Sequence, residues 1–388
     1  MRLIEVTDKK TRKQFHEVPR IIYKNDPNWA EPLHEMTEAT FDKKKNKAFR
    51  NGTAIRWVLV DKKNNLLGRI AAFVNRNTAN TYEQPTGGCG FFECVDNQEA
   101  ANILFDAAAK FNKDNGMEAM DGPINFGENY VNWGLLVDGF MQQGYGMPYN
   151  PKYYEKLFRD FGFEVYFEQY CYHLDYTVPF PERFWKIAGW VAKKPQYSFR
   201  HFSYKETNKF VKDFCAVYDA AWSFHEHYKP IDPDDIFDFI TDSKAILDPE
   251  MIWFAYNEDK PIALFAMVPD LNQILMKLNG KLNLWGILKF LYYKKTKLMT
   301  RTRILIMGVD PKYQRSGIES GIFWHQQQFM KKKPQYTEVE LSWAGDFNPK
   351  VIAIYEATGA KKTKIHYTMR YMFDRSKKVT KAPIIGFD

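Results

Sequence analysis

The alternation of apolar and polar positions is sharpest between Ile304 and Gly359. Ile304-Leu305-Ile306-Met307-Gly308-Val309 is an apolar run of strand length and reads as a buried strand. Asp310 to Gly317 then turns the chain into a helix carrying Ile318, Ile322 and Phe329 along one face. A strand feeding straight into a helix N-terminus leaves several backbone N–H groups unpaired and aimed at one spot, which suits an anion. Further on, Glu338-Val339-Glu340-Leu341-Ser342-Trp343 alternates as a strand does, with Glu340 opposite the face of Val339, Leu341 and Trp343. Asn348-Pro349 supplies an N-cap followed by proline at the first helical position, and Gly359 closes that helix.

The first half offers a fainter copy of this order. A hairpin runs from Ala54 to Val60, turns at Asn64-Asn65, and returns from Gly68 to Val74. A strand, Phe91 to Val95, and a helix around Ala100 to Phe111 follow. Asn150-Pro151-Lys152 through Gly162 then repeats Asn348-Pro349-Lys350 through Gly359. Such an echo predicts two copies of one fold, with the boundary near Pro179 and Pro181, hence domains over 1–175 and 176–388. The copies are not equivalent. The first-copy turn Asp96-Asn97-Gln98-Glu99-Ala100-Ala101 has two acids, no basic residue and no glycine. Four residues before the closing glycine, Phe158 stands where the second copy has Tyr355. The first copy is expected to be a scaffold shaping the substrate site, and the second to do the chemistry.

A length of 388 residues suits two domains, and the aromatic content of 16% allows large cores or an adhesive surface. Cys89, Cys94, Cys171 and Cys215 lack metal-ligand spacing, so no metal is expected. With no secretory signal and no apolar run of membrane-spanning length, the expected location is the cytoplasm, with peripheral attachment to the inner membrane. The net charge of +8 matters mainly through its distribution. No acidic residue lies between Asp270 and Asp310, a stretch that carries Lys277, Lys281, Lys289, Lys294, Lys295, Lys297, Arg301 and Arg303. Leu282, Leu284, Trp285, Ile287, Leu288, Phe290, Leu291, Tyr292 and Tyr293 are interleaved with them. A basic helix with Trp, Tyr and Leu beside lysine has the composition of a segment lying on an anionic bilayer. A helix packed on the domain with solvated lysines is the plainer alternative. A nucleic-acid partner is not expected, because no recognised RNA- or DNA-binding motif accompanies the charge.

Gln314-x-x-Gly317, followed by Asn348, Tyr355, Glu356 and Gly359 at their spacing, resembles the cofactor core of the GNAT superfamily of acyl-CoA-dependent N-acyltransferases. Pro269-Asp270-Leu271-Asn272, Leu278-Asn279-Gly280-Lys281-Leu282, Leu288-Lys289-Phe290-Leu291, Arg315-Ser316-Gly317-Ile318 and Glu340-Leu341-Ser342-Trp343 are similar to the tandem-GNAT family of bacterial ceramide synthases. Ala220-Ala221-Trp222 followed by Pro230 also fits, although His225-Glu226-His227 departs from that family's pattern. The resemblance implies an α+β (α/β) protein of two tandem GNAT-like domains, each a mixed, mostly antiparallel sheet flanked by helices. It also implies an insertion at 271–299 and acyl-CoA as the acyl donor.

By the same resemblance, the backbone of Met307, Gly308 and Val309 holds the pantetheine arm and polarises the thioester. Gln314, Arg315, Ser316, Gly317, Ile318 and Glu319 face the pyrophosphate. Glu319 departs from the superfamily's Gly/Ala, and a carboxylate there repels phosphate unless it points away along the helix. Tyr355 is implied as general acid for the leaving thiolate, or else it is a core aromatic. Glu340 is a cleft-facing base or a structural ion pair; Asn348 is a helix cap first and a catalytic contact second. Trp222, His225, His227, Asn272 and Trp285 are the expected substrate contacts. The leading expectation is N-acylation of a long-chain lipid amine at a membrane surface. The alternatives are a soluble acetyltransferase of a small amine or protein, an aminoacyl-tRNA-dependent transferase, and a lipid- or partner-binding scaffold without catalysis.

Overall fold

The computed structural model describes residues 1–80, 83–127, 131–223, 230–244, 246–341 and 343–385. In the first half the chain forms β1 (Arg2–Glu5), α1 (Lys9–Ile22), α2 (His34–Thr40), β2 (Gly52–Val60), β3 (Leu66–Asn75), β4 (Thr86–Cys94), α3 (Gln98–Asp114), β5 (Ala119–Gly122), β6 (Leu135–Asp138), α4 (Tyr154–Phe161) and β7 (Glu164–Asp175). The second half begins with α5 (Glu182–Val191), β8 (Tyr197–His201), α6 (Thr207–Trp222), α7 (Pro233–Asp242), β9 (Ile252–Asn257) and β10 (Lys260–Pro269). It continues with α8 (Asn272–Leu275), α9 (Leu284–Lys295), β11 (Arg301–Val309), α10 (Ile318–Lys332), β12 (Glu338–Glu340), β13 (Ala344–Gly345), α11 (Pro349–Ala357) and β14 (Lys361–Met372).

All of these strands belong to a single sheet ordered β1-β2-β3-β4-β5-β14-β7-β12-β11-β10-β9-β8. β6 pairs with β14, and β13 with β7. The centre of the sheet is an exchange. β7 ends the first half yet pairs with β12 of the second, and β14 ends the second half yet pairs with β5 of the first. β7 and β14 pair antiparallel with each other from Lys361↔His173 to Arg370↔Glu164. The offset that carries Gly162 onto Gly359 also carries Glu164 onto Lys361 and His173 onto Arg370. A local two-fold axis therefore passes between the paired residues Gln169 and His366. Removing either strand would open an unpaired edge in the middle of the sheet, where exposed N–H and C=O groups are costly.

The helices follow from local signals. Asn348 caps α11 by accepting the Val351 N–H, and Gly359 leaves that helix at φ +90°. Gly162 does the same for α4 at φ +109°. The echo stops at the cap: the buried Asn150 side chain instead bonds both the N–H and the C=O of Leu136 in β6. The Glu338–Trp343 alternation also breaks, because β12 ends at Glu340 and pairing resumes only at Ala344. There the Leu341 N–H has turned to the carbonyl of Tyr172 in β7. Each half has its own core. One gathers Leu104, Phe105, Leu157 and Phe158 between α3, α4 and the first strands; the other gathers Ile304, Ile318, Ile322, Val339 and Tyr355 under α10 and α11.

Candidate acyl-transfer site

The fourth strands of the two halves, β4 and β11, both carry an extra residue against their neighbours. The β10–β11 register skips Leu305, and the β3–β4 register slips between Arg69 and Ala71. A bulge bends a strand and ends regular pairing. β11 pairs with β12 only at Arg301↔Glu338, Thr302↔Val339 and Arg303↔Glu340. Beyond that point β11 runs on to Val309 while the chain after Glu340 follows β7, so the two strands part in a V. Met307, Gly308 and Val309 lie on the free arm.

Immediately after that arm the chain turns through Gln314 and Ser316, with Arg315 at φ +67° and Gly317 at φ +82°. Gly317 is the N-cap of α10, and no side chain caps the helix. Its first N–H groups and positive dipole end are therefore presented to whatever occupies the turn. Arg315 is exposed beside it, and Ile318 is buried in the core. Glu319 is half-buried, and burial pushes its carboxyl up. The turn thus fits a diphosphate.

Tyr355 comes from α11 into the same packed cluster as Ile304, Val309 and Ile318, with Met307 against it. Its ring leans on Tyr172 at 5.6 Å. Trp222, at the end of α6, lies on the opposite face of β11: a Cβ on Gly308 would come within 2.4 Å of the Trp222 ring. Glycine at 308 is what admits this close approach. His225 and His227 lie outside the described residues.

At the base of the V, Glu340 is fully buried and its Oε2 accepts a hydrogen bond from Lys364 Nζ at 2.5 Å. Burial alone would raise this carboxyl, but Lys364, Arg301 and Arg303 together hold it below the usual range. Its Oε1 has no hydrogen-bond partner among the described residues. The first half supplies the cover. Gly144 is so close that a Cβ there would meet the Glu340 carboxyl at 3.0 Å. Arg301 Nη1 and Nη2 donate to the carbonyls of Gln142 and Gln143, and Arg301 also pairs with Asp270 at 2.6 Å. Asn272, expected at the substrate, is buried here, and its amide donates to the carbonyls of Gln143 and Gly144. Trp285 lies away from the V on α9, where it is 73% exposed. Lys364 and the covering loop were not singled out from sequence. The available signal for Lys364 was polar residues at period two in β14, Lys364, His366, Thr368 and Arg370, all of them buried.

The first-half counterpart of this V is filled. β4 and β5 pair only from Thr86↔Ala119 to Gly88↔Asp121. The chain beyond β5 then stays on β4: the Ile124 N–H donates to the Cys89 carbonyl at 2.9 Å, and the Ile124 carbonyl lies against Gly90. The Cys94 N–H donates to the Tyr154 hydroxyl, and Tyr153 donates to the Cys94 carbonyl, both at 2.8 Å. The Asn97 side chain caps α3.

No family model matches the chain. A bacterial ceramide synthase from Caulobacter vibrioides is 26% identical over 94% of both chains, and protein YghO of Escherichia coli K12 is 24% identical over 92% of both. Among solved structures, a tandem GNAT protein from the clavulanic acid biosynthesis pathway aligns with a TM-score of 0.57 at 9% identity, covering 96% of this chain and 98% of its own. A GCN5-related N-acetyltransferase from Sphaerobacter thermophilus aligns with a TM-score of 0.51 at 9% identity and 98% coverage of both. The chain thus has a tandem GNAT fold and is similar in sequence, along nearly its whole length, to the Caulobacter bacterial ceramide synthase.

Proposed function

We propose that the chain is an acyl-CoA-dependent N-acyltransferase whose acceptor is the amine of a long-chain, sphingoid-type lipid taken from a membrane surface. The observation that carries the lipid reading is α9. Leu284 is 71% exposed, Trp285 73% and Tyr292 63%, with Leu288 and Leu291 about half exposed between them. Exposed Lys289, Lys294 and Lys295 share the helix. Phe290 and Tyr293 pack inward, on Leu271, Ile274, Leu275, Leu278 and Met299. A contiguous apolar surface of this kind, ringed by cations, complements an anionic bilayer. Among the described residues, no helix is long and apolar enough to cross a membrane.

In this reading the α10 turn from Gln314 to Glu319 holds the pyrophosphate of acyl-CoA, and Met307 to Val309 align the thioester in the V. The lipid amine attacks the thioester carbon. As the N–C bond forms and the C–S bond breaks, Tyr355 gives its proton to the leaving thiolate. Glu340 Oε1, ionised and without a protein partner among the described residues, takes the proton from the amine. Trp222 lines the acceptor side, and Asn348 holds α11, and with it Tyr355, in place.

Replacing Lys289, Lys294, Lys295 and Lys297 with Gln removes four charges, each contributing about 1 kcal/mol near an anionic surface. This variant should leave acidic liposomes yet still acylate a short, soluble amine. In cells, loss of the protein should remove N-acylated long-chain bases from the lipid extract. Wild-type protein that ignores acidic liposomes at low salt, where screening is weakest, would return α9 to an ordinary surface helix and leave the soluble-amine activity as the better reading.

A further inference from the structure

The α5 helix lies between the two halves in sequence and against α10 in space. Val191 touches Gly317 and Gly321: Cβ atoms built on those glycines would lie 3.1 and 3.3 Å from the Val191 methyls. Two residues earlier, Gly189 admits the Trp324 indole at 3.0 Å. Moving from 189 to 191 on α5 therefore means moving from 324 back toward 317 on α10. The helices run antiparallel, and the C-terminal end of α5 sits beside the uncapped N-terminus of α10.

What α5 displays at that end is unusual for a surface. Trp190, next to Val191, is 64% exposed. Lys194 Nζ stands 4.0 Å from its ring centroid, and Lys193 is exposed one residue before. Arg315 and Lys312 are exposed on the α10 turn itself. An exposed indole is a stacking surface for a flat heterocycle, and cations around it suit phosphate esters.

We propose that Trp190, Lys193 and Lys194 form the binding site for the adenosine 3′-phosphate end of CoA, with the purine stacked on Trp190 and its phosphate ester met by the lysines. The assignment rests on the proposed acyl-CoA chemistry and extends it beyond the α10 turn. A diphosphate held at Gly317 has one end directed along β11 and the other out of the V. The outer end carries the nucleoside, and α5 is the element flanking that exit. The site also explains why α5 meets α10 through glycines, since close packing brings the indole to the rim of the phosphate turn.

The test uses full-length protein and equilibrium binding of CoA, of acyl-pantetheine, and of adenosine 3′,5′-bisphosphate as a competitor. Wild type should bind CoA tighter than acyl-pantetheine, with the bisphosphate competing against CoA. Trp190→Ala should weaken CoA about ten-fold, within the range for loss of one base–aromatic stack. Lys193→Gln/Lys194→Gln should weaken it further, Trp190→Phe should retain most of the affinity, and acyl-pantetheine binding should not change in any variant. Because Trp190 is exposed, unchanged acyl-pantetheine binding also reports an intact fold. Equal CoA affinity in wild type and Trp190→Ala would overturn the nucleotide site while leaving the acyl-CoA reading intact. Wild type that binds neither CoA nor acyl-pantetheine would overturn both.

Discussion

Past Gly88 the first half closes its V with its own chain, whereas past Arg303 the second half leaves its V open. Both halves build the opening the same way, with a bulged fourth strand and a short fifth strand that pairs at only three positions. The difference lies in the path the chain takes next. After β5 it keeps to β4 through Ile124; after β12 it keeps to β7 through Leu341 and leaves β11. The Cys94 amide is taken by Tyr154 and the α3 N-terminus by Asn97, while α10 begins at a glycine with no side-chain cap. A duplicated fold thus keeps its scaffold while one copy caps with its own side chains the helix start that the other leaves uncapped. The first copy still serves the second, since its 142–145 loop covers Glu340, Arg301 and Arg303.

The comparison breaks most readily at the two helix starts. Gly317→Glu places a carboxylate at a φ of +82° in the phosphate turn, within reach of Val191. Backbone strain of ~1–3 kcal/mol and like-charge repulsion act together, so CoA affinity should fall by more than roughly a hundred-fold. Gln98→Glu at the start of α3 loses the donors to Asn102 and Leu157 and should lower stability slightly, with CoA affinity unchanged. Titration of both variants with CoA decides the matter, and parallel losses would mean that the halves share the ligand.

Tyr355→Phe turns the second half into the first at one atom, because Phe158 is its counterpart. With the ring kept in the same core, acyl-CoA affinity should hold while kcat falls by about 10²–10⁴-fold, the range for lost general-acid catalysis. A variant with wild-type kcat would leave Tyr355 as a packing residue.

Much of this contrast was legible in the chain. The acidic Asp96–Glu99 turn, the Phe158/Tyr355 difference and the apolar strand entering a glycine turn are local patterns, and local patterns survive in sequence. The exchange of β7 and β14 was not legible, because an alternating strand reads the same whichever half it joins. Glu340 was read off the core face of its strand by period-two alternation, and it is buried on that other face. Its partner Lys364 lies on a strand two places away in the sheet, beyond any window of periodicity. Asn272 looked available for substrate because nothing in its own segment shows that Gln143 and Gly144 take its amide. The contact of Trp222 with Gly308 is hidden for the same reason. For α9 the sequence left packed and exposed readings open, and only the neighbouring elements decide how much of its apolar surface remains bare.

The last expected effect is on stability and concerns the carboxylates at the base of each V, Asp121 and Glu340, both paired with cations of β14. Asp121 accepts two hydrogen bonds from Arg370, at 2.6 and 2.9 Å, a bidentate pair that satisfies both oxygens. Glu340 is bonded to Lys364 through one oxygen only. Breaking a buried pair on one side costs about 3–5 kcal/mol, because the remaining charge is stranded. Glu340→Gln keeps the side-chain volume and an acceptor for Lys364, so about 3 kcal/mol is expected, and Glu340→Gln/Lys364→Met should recover part of it. The pH dependence has a definite sign. The Glu340 carboxyl is held below its usual 4.5, so its contribution is complete above that pH and is lost as the pH falls through the lower folded value. Asp270, pushed up by burial and by the charge of Glu340, acts in the opposite direction, and Glu340→Gln relieves the second cause, which trims the gap near neutrality. The stability gap between wild type and Glu340→Gln should therefore be widest near neutrality and narrow below pH 4.5 in denaturant titrations. A gap that stays constant into acid would show that Glu340 acts through packing rather than through its charge.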